Sequence, residues 1–211
     1  MQCYKAELLI NNQVHRVVAK QTFSLHCPLG HYQGQAQTYV HVEGVIEKFK
    51  SNVLSNEKFN QLEKDLVKTL GIVKTCVVQI VGTEESHMDL KNDSSNLWIF
   101  EEELVGDYVK YVGNNNFTIE TQKKDDPLHE MLHAMSHYDL NENQGRSFVC
   151  DLQGVGTTLT DPAVIDLDKS FGRGNLNYDG LKLFISQHKC NLWCKKLGLT
   201  SAKKWQSELK K

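Results

Sequence analysis

The sequence predicts an α+β chain folded as two lobes, a strand-rich first half and a second half of loops and helices. Three observations carry this. Runs rich in apolar and β-branched residues, "YKAELLI" and "VHRVVAKQTF", mark the first forty residues as strands. From Val45 to Leu70 the apolar residues recur at mostly three- and four-residue steps, the period of a helix. Past Pro127, glycine- and aspartate-bearing loops alternate with short apolar segments. The lobes are expected at residues 1–102 and 103–211, with a junction between Glu101 and Gly106.

In chain order, "NNQ" between the first two runs is a hairpin turn. The helical stretch breaks around Ser55 and Asn56. "CVVQIV" reads as a short buried strand and "MDLKNDSSN" as a polar loop. "LWIFEEEL" and "DYVKYV" read as strands joined by a bend at Gly106. Asp125 and Asp126 both suit a helix cap, and proline is tolerated in a first turn, so a helix is expected from about Leu128 to Tyr138. "SFVCDLQGVG" is a strand running into a glycine turn. "LTDPAVID" is a loop, because the residue before a proline is driven away from helical geometry. "FGRGNLNYDG" is a second glycine-bearing loop. "LKLFISQHKCNLWCKKLGL" reads as one or two helices ending near Gly198, with Ser201 capping a final short helix.

Composition narrows the function classes. With 211 residues the chain buries a core without disulfide staples. The formal net charge of -2 argues against a general polyanion binder, so no nucleic-acid partner is expected. No apolar run approaches the roughly 20 residues that span a bilayer. "MQCYKAELLI" lacks the basic region and apolar stretch of a signal peptide. A cytoplasmic protein with no membrane partner is the expectation. Cys3, Cys27, Cys76 and Cys150 are scattered and read as small buried hydrophobes.

Two segments carry ligand chemistry. "HEMLHAMSH" holds His129, Glu130 and His133 in the HExxH spacing of a zinc peptidase, with His137 four residues on. The glycine of the extended peptidase pattern is replaced by Ser136. The plainer reading leaves His129 and Glu130 solvated and His133 partly packed. "HKCNLWC" holds His188, Cys190 and Cys194. If helical, the two cysteines project from one face, one turn apart. Two thiolates and an imidazole leave one tetrahedral position for a further ligand, and a closed site of that kind is structural. The alternative is two core cysteines and a surface histidine.

Between these segments lie "VCDLQGVGTTLTDP" and "FGRGNLNYDG". Together with Ser136–His137 and "HKCNLWC", their order and spacing closely resemble the alpha-kinase family, the atypical protein kinases of the myosin-heavy-chain-kinase and elongation-factor-2-kinase type. Upstream, "EEELVGDYVKY" is similar to the family's interlobe linker and following strand, and "RVVAKQTF" to its lysine strand. The resemblance covers nearly the whole chain, strong after residue 97 and weak between about 25 and 95. It implies a two-lobed protein-kinase-like fold with a zinc-stabilised C-lobe, and a serine/threonine protein kinase using ATP and Mg²⁺ on a protein substrate. A catalytically inactive domain that binds nucleotide or partner proteins is the alternative, and the HExxH peptidase a remote one. No His-Arg-Asp loop, Asp-Phe-Gly or N-terminal Gly-x-Gly-x-x-Gly is present, which excludes a conventional protein kinase.

The same resemblance assigns residues. His137, His188, Cys190 and Cys194 hold a structural Zn²⁺, which makes the HExxH an accident. Lys20, in the middle of an apolar strand, meets the nucleotide phosphates; a solvent-facing strand lysine is the plainer reading. Glu101, Glu103 and Leu104 belong to the linker that contacts adenine, largely through backbone groups. Asp151, a carboxylate costly at the end of an apolar strand unless used or paired, is the catalytic aspartate. Gln153 and Asp161 hold Mg²⁺. If the strand stays extended, Asp151 and Gln153 share a face. Gly172, Gly174 and Asn175 form the glycine loop. Its pattern departs from Gly-x-Gly-Asn-x-Gly at Asn177, a residue type that tolerates left-handed geometry.

Overall fold

The computed structural model describes residues 1–22, 29–79, 97–119, 126–168, 170–172 and 174–206. The hairpin expected at the start forms. β1 (Gln2–Ile10) and β2 (Gln13–Gln21) pair antiparallel, with Ile10 opposite Gln13. Asn11 and Asn12 turn the chain at φ of 51° and 62°, the left-handed pair that a two-residue primed turn requires. β5 (Leu97–Glu102) pairs with β2, and β4 (Thr75–Gln79) completes a sheet in the order β1-β2-β5-β4. β4 is an edge strand and half exposed, not the buried strand its apolar run predicts. Cys3 and Cys76, expected inside, are exposed on the two edge strands. Cys27 and the "MDLKNDSSN" loop lie outside the described residues.

Helix begins earlier than the sequence suggests. α1 runs Leu29–Ser55, so residues 29–40 are helical rather than strand. The segment "LGHYQGQAQTYV" holds three glutamines and one alanine against two β-branched residues, Thr38 and Val40, which tips it toward helix over strand. The break at Ser55 and Asn56 is present. α2 (Gln61–Thr69) restarts behind Asn60, whose side chain accepts from Glu63 N–H while the Glu63 carboxylate accepts from Asn60 N–H.

Two compact units result, Met1–Gln37 with Val73–Val105, and Thr38–Ile72 with Gly106–Lys211. The chain crosses at 37/38, 72/73 and 105/106, where sequence periodicity offered one junction. The reason is apolar packing. Val42, Ile46, Phe49 and Val53 of α1 and Val67 of α2 belong to the buried cluster of the second unit.

That unit holds a sheet in the order β3-β9-β8-β6, of β3 (Gly71–Ile72), β9 (Thr158–Thr160), β8 (Leu152–Val155) and β6 (Tyr108–Val112). A separate pair joins β7 (Ser147–Cys150) to β10 (Ala163–Asp166). "LTDPAVID" is thus two strand segments around Asp161–Pro162 rather than a loop. α3 (Pro127–Glu142) is capped by Asp126, carries proline in its first turn and runs a turn past Tyr138. Its buried Met131, Leu132 and Met135 share the cluster with Phe117, Phe148 and Phe184, which meet at centroid distances of 4.3–5.4 Å. α4 (Asn177–Gln187), α5 (Leu192–Lys196) and a 3-10 helix (Ala202–Gln206) finish the described chain. Among the described residues no helix is long and apolar enough to cross a membrane.

Candidate functional site

His137 and three residues from a short segment far along the chain converge at the end of α4. His137, fully buried on α3, meets His188 at the C-cap of α4, Cys190 in the connection, and Cys194 on α5. One ligand atom from each lies within 4.8 Å of the others. Cys190 Sγ is 3.7 Å from His137 Nδ1, and Cys194 Sγ is 3.6 Å from His188 Nε2. A tetrahedral ion with Zn–S of about 2.3 Å and Zn–N of about 2.0–2.1 Å sets such S···N edges at about 3.6 Å. His137 Nε2–H donates to the Thr200 carbonyl at 2.9 Å, which leaves Nδ1 with its lone pair toward the group. Burial lifts the Cys194 thiol to about 12 and drops His188 to about 3. Such a pocket disfavours a bare thiolate and favours one neutralised by a cation. The donor set therefore fits a closed metal site. The helical one-face picture of the two cysteines needs correction, because Cys190 precedes α5 and Asn191 caps that helix by accepting from Cys194 N–H.

The HExxH histidines take another arrangement. His129 and His133 are 4% and 2% exposed, contrary to the expectation of a solvated His129 and a partly packed His133. His133 Nε2 lies 3.1 Å from the Tyr111 carbonyl and donates to it, so that nitrogen offers no lone pair to a metal. Among the described residues the His137 quartet is the one group of three or more metal-ligating side chains close enough to share an ion.

The "CDLQGVGTTLTDP" segment holds two aspartates in strained backbone geometry. Asp151 and Asp161 have φ of 54° and 49°. The left-handed turn at Asp151 ends β7 and passes the chain to β8 in the other sheet, so the extended-strand argument for a shared face of Asp151 and Gln153 does not hold. Asp151 N–H donates to the Gly113 carbonyl at 3.2 Å, and Lys110 Nζ stands 2.6 Å from Asp151 Oδ1. Gln153 Nε2 donates to the Asp161 carbonyl at 3.2 Å, which ties Gln153 to Asp161. Asp161 N–H in turn donates to the Tyr39 hydroxyl at 2.9 Å. Non-glycine residues held in left-handed geometry cluster at working sites because the surroundings must compensate for the strain.

The glycine loop is pinned by Asn175. Its Oδ1 accepts from the N–H groups of Asp166 at 3.0 Å and Asn177 at 2.9 Å, and its Nδ2 donates to the Asp166 carboxylate. Asp166, buried, also accepts from Ser170 N–H. Gly172 turns at φ 75°, and Asn177 takes φ 53°, the geometry its position requires.

In the first unit, Lys20 Nζ donates to Glu101 Oε2 at 2.7 Å, with both side chains about 95% buried (5% and 4% exposed). The solvent-facing reading of Lys20 is thereby ruled out. Glu101 lies inside β5, between β2 and β4. Glu103 N–H donates to the Arg16 carbonyl at 3.2 Å, and its carboxylate pairs with Lys5 at 2.9 Å. Of the three expected linker residues, Leu104 lies past both the strand and that hydrogen bond.

The model of the alpha-kinase family matches residues 1–194. The chain belongs to the alpha-kinase family. It is 37% identical over 128 residues to alpha-protein kinase vwkA of Dictyostelium discoideum, covering 58% of this chain and 20% of that one. It is 38% identical over 118 residues to human transient receptor potential cation channel subfamily M member 6, covering 53% and 6%. Mouse eukaryotic elongation factor 2 kinase is 30% identical over 134 residues, covering 63% and 17%. The chain thus spans a fifth or less of these relatives' lengths. The alpha-kinase domain of myosin-II heavy chain kinase A shares the fold at a TM-score of 0.69 and 23% identity, covering 89% of this chain and 65% of that one. That domain has also been solved in complex with ADP.

Within the alpha-kinase frame, sequence reasoning missed Lys110, Asp166 and Tyr39. Lys110 sits in a strand whose alternation gives it no mark. Asp166 hides at the end of a four-residue apolar strand, and that position was the available signal, the same one that singled out Asp151.

Proposed function

We propose that the chain is an ATP-dependent serine/threonine protein kinase, acting on protein substrates in the cytoplasm with Mg²⁺. The observation that carries this reading is the pair of left-handed aspartates, Asp151 and Asp161, with Gln153 bonded to the Asp161 carbonyl, on a chain of the alpha-kinase family. Phosphoryl transfer needs little covalent help; it needs phosphates held, charge neutralised and an acceptor hydroxyl oriented. ATP bound with Mg²⁺ supplies the γ-phosphoryl group and the charge neutralisation. Lys20 contacts the nucleotide phosphates, and the Leu104 backbone the adenine. The Gly172–Asn175 loop holds its shape through Asn175 and Asp166. Asp151, its Oδ1 engaged by Lys110, accepts the proton of the substrate hydroxyl through Oδ2. Gln153 and Asp161 offer oxygen ligands of the kind Mg²⁺ takes. His137, His188, Cys190 and Cys194 hold a structural Zn²⁺, with no position left for water or substrate.

The test is a Mg²⁺ titration of phosphoryl transfer from labelled ATP to a peptide panel. Asp151→Asn should lower kcat by about 100-fold or more at unchanged Mg²⁺ dependence. Asp161→Asn should shift the Mg²⁺ dependence to higher concentration. The opposite pattern exchanges the two roles, and wild-type rates in both variants reject both assignments. ATP binding by a wild type that transfers nothing would establish the inactive-domain alternative.

A further inference from the structure

The sheet of the first unit ends on β1, and among the described residues no strand pairs with its outer edge. Apart from Ala6 and Leu8, every residue of β1 is exposed. Proteins usually blunt such an edge with proline or a bulge, because it is a template for another strand. β1 carries no proline and pairs with β2 residue for residue, without a bulge. The register fixes which backbone groups point outward. Glu103 N–H donates to the Arg16 carbonyl, so even-numbered residues of β2 face β5 and odd-numbered ones face β1. With Leu8 opposite His15 and Ala6 opposite Val17, the even-numbered residues of β1 face β2. The N–H and C=O groups of Cys3, Lys5, Glu7 and Leu9 are therefore directed out of the sheet.

We propose that β1 is the surface on which a second copy of this chain docks, strand against antiparallel strand, about a two-fold axis at Ala6. Self-complementarity selects this occupant. Outward-facing residues must meet outward-facing residues, so the registers of longest overlap are centred on Lys5, Ala6 or Glu7. The first sets Lys5 against Lys5 and the last Glu7 against Glu7, and like charges directly opposite destabilise a strand pair. Centring on Ala6 sets Lys5 opposite the second copy's Glu7, and Glu7 opposite its Lys5. Tyr4 then meets Leu8 on the other face, Cys3 meets Leu9, and all four outward residues of each strand pair through N–H and C=O. Lys5 is free to take part, since its side chain is 88% exposed and its three donors can keep Glu103 at 2.9 Å while meeting a second carboxylate. Glu7 lies opposite Arg16 in its own sheet, so charge alternates in sign across the join. Tyr4, 48% exposed, stands edge-on to Trp98 at 5.8 Å, and the second copy's Leu8 extends that apolar row. The contact is isologous and uses up both β1 edges, so assembly stops at a dimer.

The experiment is sedimentation velocity of the 211-residue chain over a concentration series. Wild type should pass from monomer to dimer as concentration rises. Lys5→Glu and Glu7→Lys each set like charges opposite one another at two places, and each should weaken the dimer by about 10-fold or more. Both substitutions in one chain restore opposite signs and should recover the wild-type affinity. The sharpest arm mixes the two single variants. Each repels itself and attracts the other, so the mixture should dimerise more tightly than either alone. Thermal midpoints identify folded protein; if one single variant does not fold, the other is compared with the double variant. Amide exchange at Lys5 and Glu7 should slow as concentration rises. A wild type monomeric up to its solubility overturns the proposal, as does a dimer indifferent to the charge reversals or a mixture no tighter than its components. Assembly beyond two copies overturns the isologous contact. Amide protection that ignores concentration overturns it too, and assigns the edge to another segment of the same chain.

Discussion

Lys20→Met tests whether the buried ion pair of the first unit is one electrostatic element. Lys20 Nζ and Glu101 Oε2 are 2.7 Å apart, with the side chains 5% and 4% exposed. Methionine keeps the length and removes the charge, which takes from buried Glu101 its cation at 2.7 Å. Breaking a buried pair from one side costs about 3–5 kcal/mol. For a chain of 211 residues, at about 2–4 °C per kcal/mol, the thermal midpoint should fall by about 6–20 °C. Glu101→Leu should fall in the same range. The double variant Lys20→Met with Glu101→Leu removes both charges of the pair together and should recover most of the loss, since a buried pair and an apolar replacement come out nearly equal. Urea denaturation of the four proteins, followed by circular dichroism, closes the cycle. A Lys20→Met protein within about 1 kcal/mol of wild type would refute the reasoning, as would a double variant no better than the worse single. The result also governs how a loss of phosphoryl transfer in a Lys20 variant is read, because part of it is lost fold.

Cys194→Ala should abolish bound zinc and lower stability by several kcal/mol, while His133→Gln retains the metal; elemental analysis showing the reverse would reject the quartet. Burial holds the metal-free Cys194 thiol near 12, so zinc binding at neutral pH should release protons, seen as buffer-dependent heat in calorimetry, and a buffer-independent heat would reject thiol ligation. Burial also holds His133 down to about 4 from 6.5. Between those values the unfolded chain binds a proton that the folded chain does not. Stability from this residue is therefore full above about pH 6.5 and falls by about 3 kcal/mol as pH drops toward 4; His133→Gln should flatten that slope in denaturation series, and an identical slope would sink the assignment. Gly154→Ala sets a Cβ 2.0 Å from the Thr158 carbonyl oxygen at a φ of 156°, and should destabilise by about 3 kcal/mol or more or yield insoluble protein, checked by expression and melting.

The sequence made the chemistry more legible than the packing. The two histidine-bearing segments were linked in sequence only by family pattern, yet His137, His188, Cys190 and Cys194 do converge, because α3 and the α4–α5 connection share one apolar cluster. The hairpin at Asn11–Asn12 and the cap at Asp126 were readable since a local turn or cap is decided by adjacent residues. Three features were not. Residues 29–40 carried no clear period, and burial of Tyr32 and Tyr39 is settled by partners far along the chain. β4 looks buried by composition, but an edge position is a property of the sheet. The left-handed turn at Asp151 broke the two-residue alternation from which a shared face with Gln153 was reasoned, and nothing in "VCDLQG" announces a positive φ.

That turn has a consequence for which residues the two aspartate positions tolerate. Chemically, glutamate is the mildest replacement for aspartate, since it keeps the carboxylate. Conformationally it is a poor one at 151 and 161, where φ is 54° and 49°. Left-handed backbone costs most residues about 1–2 kcal/mol, and asparagine, aspartate and glycine are the types that visit it routinely. The shape of the chain therefore ranks substitutions in the opposite order from their charge. Drift at these two positions should run through asparagine or glycine, so that a domain of this kind loses its carboxylates while keeping its fold, and a dead member would remain a well-folded one.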